Sequence, residues 1–234
     1  SGINHTDANG TVCLGNDSGE SITEGQYNTA VGYRSLNANQ TGDGLVAFGY
    51  NSLLLSTGND NSAFGRESLS SNTSGASNTG LGIWAGHGNA TGSANTYVGS
   101  SAGKGVANNN NSNNVGVGYN ALLDIRTGDA NTSIGKDSSL NLQDGHNNVA
   151  IGNNSLETSE SVGYVVAIGD DAMKSGDATS AADGTIAIGG SALLGLTTGA
   201  GNTAVGYQAL MTEDTGSYST AIGHSALKIQ DNAN

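Results

Sequence analysis

The residues best suited to binding a ligand are tyrosines that recur at one spacing. Tyr33, Tyr50, Tyr119 and Tyr207 each follow a glycine of a repeated motif directly, and Arg66 has the same place one repeat after Tyr50. If the repeats stack, Tyr33, Tyr50 and Arg66 form a row in which rings stack on sugars and the guanidinium holds an anionic group. The sequence therefore predicts a glycan-binding site at these three residues. The alternative, favoured for any single tyrosine, is that the rings only stack on one another.

No arrangement of residues is typical of catalysis. The chain has four histidines: His5, His87, His146 and His224. None shares a register with a serine or a carboxylate, and no glycine-rich stretch carries the Lys-Ser/Thr pair of a phosphate-binding loop. The neighbouring carboxylates Asp170 and Asp171 would point apart in a strand. We therefore expect a non-enzymatic protein without a cofactor.

Metal binding and disulfide formation are also poorly supported. Asp43, Asp129 and Asp183 share one corner position, but other residues take that position in most repeats. A calcium-binding roll would repeat its aspartate in every unit, so we interpret these acids as scattered and solvating. Cys13 is the single cysteine and occupies a small-residue position, which predicts an inert side chain.

Composition excludes several classes of protein. Among 234 residues there are 7 basic and 20 acidic ones, and the formal net charge of −13 disfavours a nucleic-acid partner. Glycine occurs 38 times and proline never, which is incompatible with collagen. No apolar run approaches the roughly 20 residues of a membrane helix, so we expect no membrane insertion.

A repeat of 17 residues organises almost the whole chain. Its anchor glycines are Gly15, Gly32, Gly49, Gly65, Gly82, Gly99, Gly118, Gly135, Gly152, Gly169, Gly189, Gly206 and Gly223. A large apolar residue precedes every anchor. A small residue lies before it in nearly every copy, with Tyr97 as the exception, and Thr or Val commonly precedes that. This alternation has a period of two and predicts one β-strand per repeat, stacked in parallel on its copies.

The strand pattern also suggests which residues form the core. Large and small residues face opposite sides, and we expect the large apolar row, including Ile151 and Ile168, to face inward. The threonine row, with Thr79 and Thr220, shares that face, so we expect it to be buried too, which argues against an ice-binding surface. The small-residue rows would then lie outside, where they allow close approach of neighbouring chains.

The remaining positions of the repeat predict its corners. A recurrent asparagine four residues before the anchor is suited to capping a turn and stacking into a row. A glycine ten residues after the anchor indicates positive φ or close approach of the backbone. Residues 106–114 and 175–184 lengthen two repeats and are expected to be polar corner insertions. We assign 1–10 as an N-terminal cap, 11–227 as one β-roll domain and 228–234 as a C-terminal tail.

The repeats resemble those of a known family. The segments 148–156, 202–210 and 220–227 are similar to the head repeats of trimeric autotransporter adhesins (YadA-like) and to related repeats of phage tail fibres. The resemblance covers about residues 11–227. It implies a left-handed parallel β-roll that assembles as a homotrimer and serves adhesion. The unit of 17 residues is longer than the commoner adhesin repeat, which implies larger corners.

Together these observations predict an all-β parallel β-roll or solenoid of about 13 coils. We expect a structural or adhesive segment of an extracellular fibre, foremost a phage tail fibre or receptor-binding protein that contacts a host glycan or protein receptor. The alternatives are the head of a bacterial trimeric adhesin and a self-assembling extracellular filament.

Overall fold

The predicted all-β solenoid is confirmed by a computed structural model that describes residues 10–174 and 180–229. Its strands, numbered in chain order, are β1 Val12–Leu14, β2 Thr29–Val31, β3 Val46–Phe48, β4 Ser62–Phe64, β5 Thr79–Leu81, β6 Thr96–Val98, β7 Val115–Val117, β8 Thr132–Ile134, β9 Val149–Ile151, β10 Val166–Ile168, β11 Ile186–Ile188, β12 Thr203–Val205 and β13 Thr220–Ile222. A 3-10 helix spans Ser180–Ala182. Most of the predicted cap and tail lies outside the described residues, as do 175–179 of the second insertion.

The chain divides into two compact units between Asn114 and Val115. In the first unit, β1 to β6 pair in parallel with neighbours one repeat away, so that Ala30 faces Ala47 across β2 and β3. In the second unit, β7 to β13 pair in the same way, and Ala150 faces Ala167 across β9 and β10. Each repeat therefore places like residues on like, as the 17-residue period predicts.

The predicted inward face was assigned to the wrong side of the strands. The small central residues, such as Ala30 and Ala150, are completely buried, whereas none of the thirteen large residues before the anchors is buried. Ile151 and Ile168 are half-buried on the outside, and Thr79 and Thr220 are exposed. The interior is narrow and already filled, so nearly all the side chains that it accepts from the strands are small; the exception among the described strands is Tyr97, beside which Gly86 and Gly103 replace the usual leucines.

Leucine supplies most of the apolar volume of the interior. Most of the buried leucines lie four residues after an anchor, and Leu36, Leu53 and Leu69 are each fully buried beside the small strand residues. These leucines have φ of about 50°, in the left-handed region, which non-glycine residues adopt at a cost of roughly 1 kcal/mol each. Their burial offsets this cost by about 2 kcal/mol or more per side chain. The strained turn thus exists because it brings leucine inside.

The predicted asparagine row is confirmed and lies inside the coil. In the first unit, the amide of Asn78 donates to Asn61 Oδ1 at 3.1 Å and to the Gly92 carbonyl at 2.9 Å. Its own Oδ1 accepts the backbone N–H of Asn95 at 3.0 Å and the side-chain amide of Asn95 at 2.9 Å. Asn131 and Asn148 repeat this arrangement in the second unit. The row satisfies corner backbone groups that the strands do not reach.

We expect Asn78→Ala to destabilise the protein by about 3 kcal/mol or more, because several buried polar groups lose a partner and each costs ~1–3 kcal/mol. The measurement is the free energy of unfolding by chemical denaturation followed by circular dichroism. Asn110→Ala is the control, because the side chain of Asn110 is exposed. Equal stability of the two variants would show that the row contributes little.

Glycine is needed ten residues after the anchor because the backbone of the next coil approaches closely there, and not because the position has a positive φ. Gly25 has no positive φ, and a Cβ there would lie 2.5 Å from the Gly42 carbonyl oxygen of the next coil. The anchor glycines require both conditions. Gly189 has φ +130°, and a Cβ on it would lie 2.5 Å from the Gly206 carbonyl group. Backbone contact between coils therefore explains both recurrent glycines.

The first insertion is only partly the polar corner that the sequence predicts. The side chain of Asn110 is exposed, but those of Asn109 and Asn111 are buried. Asn111 Oδ1 accepts the hydroxyl of Tyr97, and its amide donates to Asn109 Oδ1 at 3.0 Å. Tyr97 is a large residue at a small interior position, so the added residues bring a polar partner to its buried hydroxyl.

Candidate functional site

Two kinds of surface among the described residues are candidates for function, and the first is an apolar face on the outside of the strands of each unit. We define the apolar face of a unit as the large residues that precede its anchors. The most exposed members are Leu14 (68%), Phe48 (39%), Phe64 (40%) and Leu81 (48%) in the first unit, and Ile134 (39%), Ile188 (36%) and Ile222 (71%) in the second. The Phe48 and Phe64 rings stack with centroids 5.3 Å apart. Large exposed apolar patches mark interaction surfaces.

The second candidate is a line of side chains across the coils of the first unit. Tyr33 and Tyr50 stack on one another, which is the alternative that the sequence left open, with ring centroids 5.6 Å apart and planes 14° from parallel. Backbone hydrogen bonds set this spacing, because Asn51 N–H donates to the Tyr33 carbonyl at 3.0 Å and Glu67 N–H to the Tyr50 carbonyl at 2.8 Å. Both tyrosines are almost half exposed. Rings that face one another have less face free for a sugar than the sequence suggests.

Arg66, the third predicted site residue, contacts a side chain outside the predicted site. Its guanidinium carbon lies 4.7 Å from the ring centre of Trp84, one coil further on. Lys104 comes from the following coil, and its Nζ lies 5.1 Å from the same ring. Two cations thus share one aromatic platform. We call Tyr33, Tyr50, Arg66, Trp84 and Lys104 the aromatic–cation row.

Glu67 holds the platform in place. Its Oε2 accepts a hydrogen bond from Trp84 Nε1 at 3.0 Å and lies 3.7 Å from His87 Nε2. Burial lowers the pKa of His87, against the opposing effect of Glu67, and Lys104 lowers this pKa further. The lowered pKa favours the neutral form of His87. The positive charge of this cluster comes from Arg66 and Lys104.

Trp84 and Lys104 were missed because they occupy other repeat positions than Arg66. They follow their anchors by two and five residues, whereas Arg66 follows its anchor directly. Only the turn geometry brings these positions together. The available signal was the single tryptophan of the sequence, two residues after Gly82.

The acids of the corner position act as acceptors between coils. Asp43 Oδ1 accepts the backbone N–H of Gln26 at 2.7 Å, and Asp183 Oδ1 that of Gly163 at 2.7 Å. Within residues 10–174 and 180–229, no three His, Cys, Asp or Glu side chains group so that they could hold a metal ion. Burial raises the pKa of the Cys13 thiol, which disfavours the reactive thiolate.

Other aromatic residues of the described chain make different contacts. In the second unit, Tyr164 meets His146 edge-on at 5.3 Å, and Tyr207 lies 5.4 Å from His224. Over the part of the chain that the structure describes, no helix has the length and apolar character needed to span a bilayer.

Comparison of the chain with models of known protein families and with curated proteins finds no match.

Proposed function

We propose that this protein is a non-enzymatic structural and adhesive segment of an extracellular fibre, assembled from copies of the chain through the apolar face. The observation that carries the proposal is this face, because isolated soluble proteins rarely expose contiguous apolar patches above a few hundred Å². Neither outward row of the strands contains a charged residue. The charges that give the chain its −13 therefore lie elsewhere.

Second copies of the same chain are the partners that suit this face best. An identical chain repeats its large residues at the same interval, so apolar rows can meet over many coils in one register. Burial of this surface would contribute roughly 25 cal/mol for each Å² removed from water. Because the face has no charges, strongly acidic copies can approach there without direct repulsion. The resemblance to trimeric adhesin heads favours three copies.

The fibre setting follows from the same features. A stack of short repeats makes a spacer whose length increases with repeat number, and its fully hydrogen-bonded coils leave little backbone exposed between neighbours. A phage tail fibre or receptor-binding protein is our preferred setting, with contact to a host glycan or protein receptor. The head of a bacterial trimeric adhesin is the alternative.

The test is the mass of the native particle in solution, for which we expect three times the chain mass of 23.2 kDa. Ile134→Asp combined with Ile188→Asp should dissociate it, because two unpaired charges would have to be buried in every interface. Ser217→Asp is the matched control. The hydroxyl of Ser217 accepts a corner N–H just as Asp183 does in an earlier coil. A monomeric parent chain would refute the proposal.

A further inference from the structure

We propose that the aromatic–cation row binds a linear acidic polysaccharide, with Arg66 and Lys104 holding its carboxylate or sulfate groups. The inference rests on the proposed adhesive role and names the ligand class for it. It differs from the site predicted from sequence in its residues and in its chemistry. Trp84 and Lys104 are added, and charge recognition replaces stacking of sugars on tyrosine faces as the main interaction.

The two cations of the row are available for an external anion. Within residues 10–174 and 180–229, the side chains of Arg66 and Lys104 form neither an ion pair nor a hydrogen bond. Lys136 occupies the repeat position of Arg66 in the second unit, but its Nζ lies 2.7 Å from Asp137. Cations without an ion-pair partner in the protein are available to a negatively charged ligand.

Trp84 arranges these cations for binding. A guanidinium above an aromatic face uses its own face for that contact and keeps its in-plane N–H groups for a carboxylate or sulfate. The ring is itself held by the hydrogen bond from Nε1 to Glu67. Side chains that are already ordered lose less conformational entropy when the ligand binds.

Two cations from separate coils suit a ligand that carries several anionic groups. Arg66 and Lys104 come from coils on either side of the Trp84 coil, and their charged groups lie 4.7 and 5.1 Å from the centre of the same Trp84 ring. A polyuronic acid separates its carboxylates by at least one sugar ring and can reach each cation with a different residue.

The tyrosine pair extends the row beyond the cations. Tyr33 and Tyr50 turn their faces to one another, which leaves their edges and hydroxyl groups for a ligand. A phenolic hydroxyl both donates and accepts hydrogen bonds, as sugar hydroxyls do. Nucleic acid is a poor alternative, because its dense phosphates require many neutralising cations and the row supplies two.

The experiment titrates the assembled protein with polygalacturonate and follows tryptophan fluorescence, which reports on this site because Trp84 is the single tryptophan. We expect saturable binding that weakens with added salt. Arg66→Gln combined with Lys104→Gln should weaken binding at least tenfold. Arg126→Gln combined with Lys136→Gln removes the same charge elsewhere and should have little effect.

Three results would overturn the inference. They are equal weakening by both double variants, equal binding of the carboxyl-reduced neutral polymer, and equal binding of polyglutamate, which would indicate an acidic protein partner. Trp84→Leu keeps every charge and should still weaken binding, measured for this variant by calorimetry. The native mass of each variant separates this test from that of the proposed function: a trimer without binding refutes the site alone, whereas a monomer that binds refutes the assembly alone.

Discussion

Gly189→Ala is expected to abolish folding of the second unit or to lower its stability by more than about 4 kcal/mol, a magnitude seen only for severe backbone or core disruption. The added Cβ would lie 2.5 Å from the Gly206 carbonyl carbon, and φ of +130° is a conformation that L side chains rarely adopt. A change of side-chain rotamer cannot remove the overlap or the unfavourable φ, because the overlapping atoms belong to the backbone of the next coil. Thermal unfolding followed by circular dichroism measures the effect.

Gly195→Ala, in the same coil, is the matched control. Gly195 has no positive φ, and its nearest neighbour to an added Cβ would be the Met211 carbonyl oxygen at 3.5 Å, an ordinary contact. Alanine already occupies the equivalent place in an earlier repeat, at Ala38. This variant should be as stable as the parent or slightly more stable. Similar stability of both variants would contradict the close approach of the coils.

Gly103→Leu should be the second most damaging change, although leucine is the usual residue at this repeat position. A Cβ on Gly103 would overlap the ring of Tyr97, and a Cβ on Gly86 would lie 3.0 Å from the same ring. The backbone itself accepts leucine, because Leu36 has nearly the same φ as Gly103. The loss of several kcal/mol expected from overpacking therefore comes from Tyr97 alone.

Tyr97→Ala tests this explanation by rescue. The single variant Tyr97→Ala should lower the free energy of unfolding by about 3–5 kcal/mol, because the substitution removes a fully buried ring and leaves a cavity. Combined with Gly103→Leu it restores the usual small-residue and leucine pair, and the double variant should be more stable than the sum of the single effects predicts. Strictly additive free energies of unfolding would show that these positions do not compete for one volume.

The sequence alone determined the strands, their parallel order and their register. Three residues that alternate between large and small before a recurrent glycine define each strand. Because the interval between repeats is constant, equivalent residues of successive repeats pair with one another, as Ala150 does with Ala167. The asparagine row was predictable for the same reason, since a polar residue at one fixed corner stacks on its copies. The strands, their register and the asparagine row follow from the period alone, because equivalent residues of successive repeats hydrogen-bond to one another.

Tertiary structure decided which face of the strand lies inside. Alternation separates Ala150 from Ile151 but does not say which row is enclosed, and the usual preference for large residues in the core gave the wrong answer. The turn after the anchor resolves this, because left-handed residues there direct Leu156 into the coil and leave room only for small strand residues. The approach of Arg66 and Lys104 to Trp84 likewise depends on turn geometry, since the three occupy different repeat positions and a period relates only equivalent ones.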